Sequence, residues 1–203
     1  MTSGYEKIYS TILPKLAECN LAENAPRLGA EATEGGFHIS FLRRKYLITN
    51  EGVTATDGRP VDVNNRSVII YYITSNGAGE LSYDFALLER LTGMIAGRND
   101  LASGVMHSPL VREFGGDYEK FKTSITKLGG VEEPPSGPGK HVWRLLALPK
   151  ILSQIVYYEA DDEFPADIQI MFDKTSPRFL DFECLAFLSG CMIRALIDEA
   201  GAA

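Results

Sequence analysis

Apolar positions first recur at helical spacing. Tyr5, Ile8, Ile12 and Leu16 fall on one face, which predicts an amphipathic helix over 5–18 with Ser3 as its cap. Pro14 lacks an amide proton and is expected to kink or end the second half. A polar segment with Asn24, Pro26 and Gly29 follows, with room for another short helix. From Gly36 the period drops to two. Phe37, Ile39 and Phe41 alternate with His38 and Ser40, which predicts a strand, and YLIT predicts a second. Arg43 and Arg44 stand near the turn between them. Asp57-Gly58 is a strong hairpin signal, because Gly accepts positive φ. Residues 36–63 therefore read as an antiparallel meander.

SVIIYYITSNG is rich in β-branched and aromatic residues, yet its unbroken apolar run also suits a buried helix. Residues 80–106 fit no period, with Gly93, Gly97 and Gly104 interrupting each pattern. Ser108 and Pro109 mark a helix start. Tyr118, Phe121 and Ile125 then predict a helix over 117–128, stopped by Gly129-Gly130. VEEPPSGPGK is a loop by composition, since prolines and glycines cannot join a helix or a central strand. WRLLAL, ILSQIVYYEA and ADIQIMFD predict three antiparallel strands. Ser176 and Pro177 open a long final helix, from about Arg178 to Glu199, apolar on most sides and so largely buried. The fold class expected is α+β, an antiparallel sheet flanked by helices, in one domain over 1–203.

Composition narrows the function classes. The 203 residues carry a net charge of −7 and 45% hydrophobic residues, enough for a core without staples. The acidic balance argues against a general nucleic-acid binder. Arg43, Arg44 and Lys45, the densest basic cluster, read as a solvated hairpin. No apolar stretch reaches the length of a membrane span. Glu6 and Lys7 stand where a signal peptide would be apolar, so a cytoplasmic protein is expected. Cys19, Cys184 and Cys191 match no zinc or iron–sulfur spacing. Cys184 and Cys191 lie two helical turns apart, about 11 Å of rise, too far for a disulfide. Buried, reduced thiols are expected.

The candidate chemistry centres on YYEADDEFPADIQIMFD, residues 157–173. Two readings stand side by side. Asp161, Asp162 and Glu163, with Asp173 and Glu183, supply hard oxygen ligands for a divalent cation or an acid–base pair. Alternatively the acids shape a turn, with an Asp at the strand end capping loose backbone amides, Pro165 fitting a turn or a strand start and Phe164 anchoring the turn in the core. Ser176 is a good N-cap, which places Asp181 and Glu183 near a helix N-terminus. If its apolar surroundings bury Glu183, it needs a partner such as Arg144 or Arg178. His38, His107 and His141 are isolated, with no shared metal spacing. SNGAGELS lacks the third glycine and the lysine of phosphate-binding loops. Tyr71, Tyr72, Trp143, Tyr158 and Phe164 are candidates to line a pocket for a flat ligand.

The stretch PKILSQIVYYEADDEFPADIQIMFDKTSPRFLDFECLAFLSG resembles the signature of the domain-of-unknown-function 3786 family. The resemblance rests on Pro149 before a strand, the Asp161–Pro165 turn, Phe172-Asp173 at a strand end, and Glu183. IIYYIT is similar to the family's Leu-His-Tyr-Leu segment, which implies a helix there, and Leu128-Gly129-Gly130 also fits. Two positions depart from the family: its histidine is Tyr71 here, and its aspartate after the Gly-rich loop is replaced near Lys140 or His141. The resemblance implies an uncharacterised protein of anaerobic bacteria and archaea, some relatives being fused to an iron–sulfur domain. This chain has no such cysteine set and would be the stand-alone form. The resulting expectation is a cofactor- or small-molecule-binding accessory protein of anaerobic metabolism. A carboxylate-dependent enzyme and a protein-interaction module are the alternatives. The expected pocket lies among the 161–165 turn, the 134–139 loop and the final helix. Its ligand is a small molecule or a protein partner, with no nucleic acid and no membrane, and no cofactor is named.

Overall fold

A computed structural model of the chain describes residues 4–91 and 108–201. The first helix, α1 (Gly4–Ile12), ends before Pro14, and α2 (Lys15–Glu18) is a single further turn. Pro14 thus ends the amphipathic run, as its missing amide requires. α3 (Leu21–Arg27) follows. Then β1 (Glu31–Thr33), β2 (Gly36–Phe41), β3 (Arg44–Thr49) and β4 (Gly52–Ala55) form an antiparallel sheet in that order.

The meander exists and its β2–β3 turn falls beside Arg43 and Arg44 as expected, but Asp57-Gly58 does not close a hairpin. β2 and β3 are joined by Leu42-Arg43, both at positive φ (48° and 65°) without being glycine. Tertiary contacts hold this turn. Leu42 is buried and its N–H donates to Ala147 O at 3.0 Å, while Arg43 donates to Thr126 O and Lys127 O at the end of a later helix. Asp57-Gly58 does form a turn, with Gly58 at φ +72°, but no strand follows it. Asp57 pairs with Arg44 at 2.8 Å instead, and the chain enters α4 (Val63–Ile73), capped by Asp62. The β-rich run is therefore a helix. Val68, Ile69, Ile70, Tyr72 and Ile73 are all buried in it, so burial on several sides replaces amphipathic periodicity.

The second sheet has five antiparallel strands. β5 (Phe85–Leu87) leads into α5 (Leu88–Leu91). Residues 108–114 are helical (α6), and α7 (Tyr118–Lys127) is capped by Asp117, whose carboxylate accepts from Lys120 N. β6 (Val131–Glu132), β7 (Lys140–Leu148), β8 (Ile151–Tyr158) and β9 (Asp167–Asp173) complete the sheet in the order β5-β9-β8-β7-β6. The fold is α+β, as expected, with two antiparallel sheets in place of one. The expectations for 92–107, including the three glycines and His107, lie outside the described residues, as does Ser3; Ser108 and Pro109 fall within helical residues.

The final helix, α8 (Phe182–Gly201), starts later than Ser176-Pro177 suggested. Ser176–Arg178 is a single 3-10 turn. Asp181 satisfies the first turn of α8, its carboxylate accepting from Cys184 N at 2.8 Å. Aspartate and serine cap about equally well, so position decides: Asp181 directly precedes the helix, whereas Ser176 lies in the 3-10 turn before it. Cys184 and Cys191 are buried and free, as expected. Burial pushes the Cys191 thiol up to about 12 and raises Cys184 as well.

The inner face of the five-stranded sheet carries Trp143, Leu145, Ile155, Tyr157, Ile168, Ile170 and Phe172, all buried. Phe121 of α7 meets Trp143 and Tyr157 on it, and Met192 of α8 meets Ser153. One buried cluster continues through α4 to Ile39, Phe41, Tyr46 and Ile48 of the first sheet. Tyr72 pins this junction: its hydroxyl donates to Leu28 O at 2.8 Å and accepts from Lys150 N at 3.1 Å. Tyr72→Phe is expected to cost about 1–3 kcal/mol in urea unfolding, because it strands a buried amide and a buried carbonyl. A loss below about 0.5 kcal/mol would show that water replaces the hydroxyl.

Candidate functional site

The 157–173 stretch builds a turn with a cleft beside it. β8 ends at Tyr158 and β9 begins at Asp167. Between them Asp161 organises the backbone. Its Oδ1 accepts from Glu163 N at 2.9 Å and Phe164 N at 2.7 Å, and its own N–H donates to Phe164 O. These amide donors hold its carboxyl below the usual carboxylate range. Asp162 and Glu163 are exposed on the same turn. Phe164 does not anchor the turn in the core; it is 66% exposed. The Asp161 hydrogen bonds hold the Phe164 backbone in the turn, and the ring stays outside the core.

A cleft of about 530 Å³ lies here, lined by Pro138, Gly139, Tyr158, Glu159, Phe164 and Asp167 among others. It joins the 161–165 turn to the 134–139 loop, as the sequence suggested. The final helix takes no part in it. Lys140 holds its ammonium over the Tyr158 ring at 5.8 Å. On strand β7 the next residue, His141, points to the opposite face, as pleating requires.

The remaining candidates are dispersed. β9 carries the chain about 20 Å from the turn to Asp173. There Asp173 is fully buried. It accepts from the amide and hydroxyl of Ser82, from Tyr83 N, and from the amide and hydroxyl of Thr175. Burial pushes its carboxyl up, but the Thr175 and Ser82 donors outweigh that and hold it below the ordinary value. Glu183 is exposed on the first turn of α8 and needs no buried partner. Tyr72 and Trp143 are core residues, and Tyr71 is half-buried under the Lys15 ammonium at 5.2 Å. Among the described residues no three His, Cys, Asp or Glu side chains are gathered so as to hold a metal ion.

One constellation was not legible in the sequence. His141 Nε2 meets Glu159 Oε1 at 2.8 Å, and Nδ1 meets Glu132 Oε1 at 3.4 Å. Tyr118 of α7 stacks on the imidazole, centroids 3.6 Å apart and planes 19° from parallel. Its hydroxyl donates to Glu132 and holds that carboxyl below its usual range, against the opposing effect of burial. Burial first, and Glu132 second, raise the Tyr118 phenol. Glu132 also faces Lys122 at 3.9 Å. Glu132, His141 and Glu159 lie 14, 23 and 41 positions after Tyr118, on β6, on β7 and just past β8, so no motif spacing announces them.

The chain matches the family described as Domain of unknown function (DUF3786) over residues 20–195. It belongs to that family. The match contains the whole stretch on which the resemblance rested, from Pro149 to Gly190, and both the cleft and the His141 cluster. No curated protein and no solved structure matches this DUF3786 member. No helix among the described residues is long and apolar enough to cross a membrane.

Proposed function

We propose that the chain is a small-molecule-binding accessory protein, and that its ligand occupies the cleft between the 161–165 turn and the 138–139 corner. The observation that carries this reading is Phe164, an exposed aromatic ring held on a turn fixed by Asp161, at the wall of a cleft that also presents Tyr158. The volume falls within the usual range for small-ligand sites. Two aromatic rings beside Glu159, Asp161 and Asp167 favour a flat ligand that carries positive charge or several N–H donors. The setting in anaerobic metabolism is the part of the reading that follows from the family resemblance.

The test is native mass spectrometry of protein purified without oxygen. Mass beyond the 22.3 kDa chain is the expected result, and its value identifies the ligand. Phe164→Ala is expected to weaken retention roughly tenfold, the worth of one good aromatic contact. The side chain is outside the core, so unfolding in urea should be almost unchanged. A bare chain mass, together with unchanged Phe164 and Tyr158 resonances against a panel of aromatic cations, would overturn the reading.

A further inference from the structure

The His141 cluster touches the cleft through Glu159, which both lines the cleft and meets His141 Nε2. The same residue's N–H donates to Gly139 O at 2.8 Å, and Gly139 also lines the cleft. Glu132 stands at the other end of the 133–139 segment, directly before it. One imidazole therefore connects the two ends of a segment whose last residues, Pro138 and Gly139, line the cleft.

An imidazole has two ring nitrogens. The neutral ring donates through one of them only; the imidazolium donates through both. Here both nitrogens face carboxylates. With the ring neutral, one carboxylate meets a lone pair, and two negative charges flank an uncharged group. With the ring protonated, both contacts are charge-assisted. The Tyr118 stack holds the ring plane, so the ring cannot turn away from either partner without losing that contact. The groups that face the ring among the described residues are Glu132 of β6, Glu159 after β8, and Tyr118 of α7 and Tyr157 of β8. Lys122 of α7 stands behind Glu132.

We propose that His141 is a proton-operated latch on the cleft wall: its imidazolium ties Glu159 to Glu132, and loss of the proton loosens the 133–139 segment. As control of ligand access, the latch rests on the cleft reading above; as a conformational device it stands without it. The sign follows from which form makes both contacts. The latched state holds the extra proton, so low pH favours it and raising the pH releases it.

The experiment is an NMR pH titration of the full, ligand-free chain. It follows the ring nitrogens of His141 and the amides of Gly139, Glu159 and Ala160, with the His38 ring as internal control. The expected result is that the three amides follow the His141 ring step for step and do not follow the His38 ring. Hydrogen exchange in 137–140, corrected for intrinsic rates, should speed up about threefold across that step, the scale of one half-exposed ion pair. His141→Gln should abolish both effects. Glu159→Gln, at a half-exposed side chain that keeps the fold, should abolish the Glu159-linked shifts while His141 still titrates. Amides that stay flat while His141 titrates, or that shift unchanged in Glu159→Gln, would overturn the latch. A bare chain mass in the ligand experiment would leave these readings untouched, so the two failures are distinguishable.

Discussion

Asp173→Ala should be among the most destabilising single changes in this protein, on the order of 3–5 kcal/mol. The carboxylate is fully buried at the end of β9 and receives five hydrogen bonds from Ser82, Tyr83 and Thr175. Alanine leaves those donors without a partner and releases the 82–84 segment from the sheet. Asparagine is no rescue. One oxygen takes four of the contacts and the other takes Tyr83 N at 2.6 Å, so an amide NH₂ there would face another N–H. Urea unfolding at pH 7 measures the loss; a change under about 1 kcal/mol would refute the account. The pH dependence has a fixed sign. The folded-state carboxyl sits below its ordinary value of about 3.9, so its contribution is fully present above that pH and is lost as pH falls through the folded value. The variants should therefore lose less stability than the parent between pH 5 and acid conditions.

Phe121→Ala should cost a similar amount, about 3–5 kcal/mol. Its ring is buried and meets four others: Phe114 edge-on at 5.6 Å, Trp143 edge-on at 6.4 Å, Tyr157 at 5.2 Å and Tyr118 at 6.5 Å. Truncation opens a cavity among rigid aromatic neighbours that cannot close in on it. Phe121→Leu should recover most of the loss, because it refills volume without requiring the ring geometry. Tyr118 packs on this ring and on His141, so Phe121→Ala should also loosen the stack over the imidazole. Chemical denaturation gives the first effect, and the line width of the His141 ring resonances the second. Equal losses for Ala and Leu would mean that ring–ring geometry outweighs volume here.

The two changes also show where sequence reasoning reached. Phe121 was legible because helical spacing marks a buried face before any partner is known. The three strands within 143–173 and the Gly-Gly stop after α7 were legible from equally local signals, β-rich runs and breaker residues, whereas β6 and the first residues of β7 fell in the stretch read as a loop. Asp173 was singled out, but as a candidate ligand; its donors include Ser82 and Tyr83, some 90 residues away. The Asp161 turn was readable because its acceptor and donors lie within three residues. The exposure of Phe164 was not, since it depends on which way that turn projects the ring from the sheet. Leu42-Arg43 forms a left-handed turn that no propensity favours, because Ala147 O and the end of α7 supply contacts that offset its local strain.

By itself the sequence determined the elements whose signals are local: amphipathic helices, alternating strands, the proline and glycine breaks, and an α+β class. It also carried the signature that places the chain in its family. Periodicity left 67–73 open between helix and strand, the family resemblance leaned to helix, and tertiary structure alone decided that Asp57-Gly58 leads out of the sheet and that His141 meets two carboxylates beneath a tyrosine. The reason is the range of the forces. Backbone propensity and periodicity act within a few residues, whereas burial and paired charges depend on neighbours that only the folded chain brings within reach.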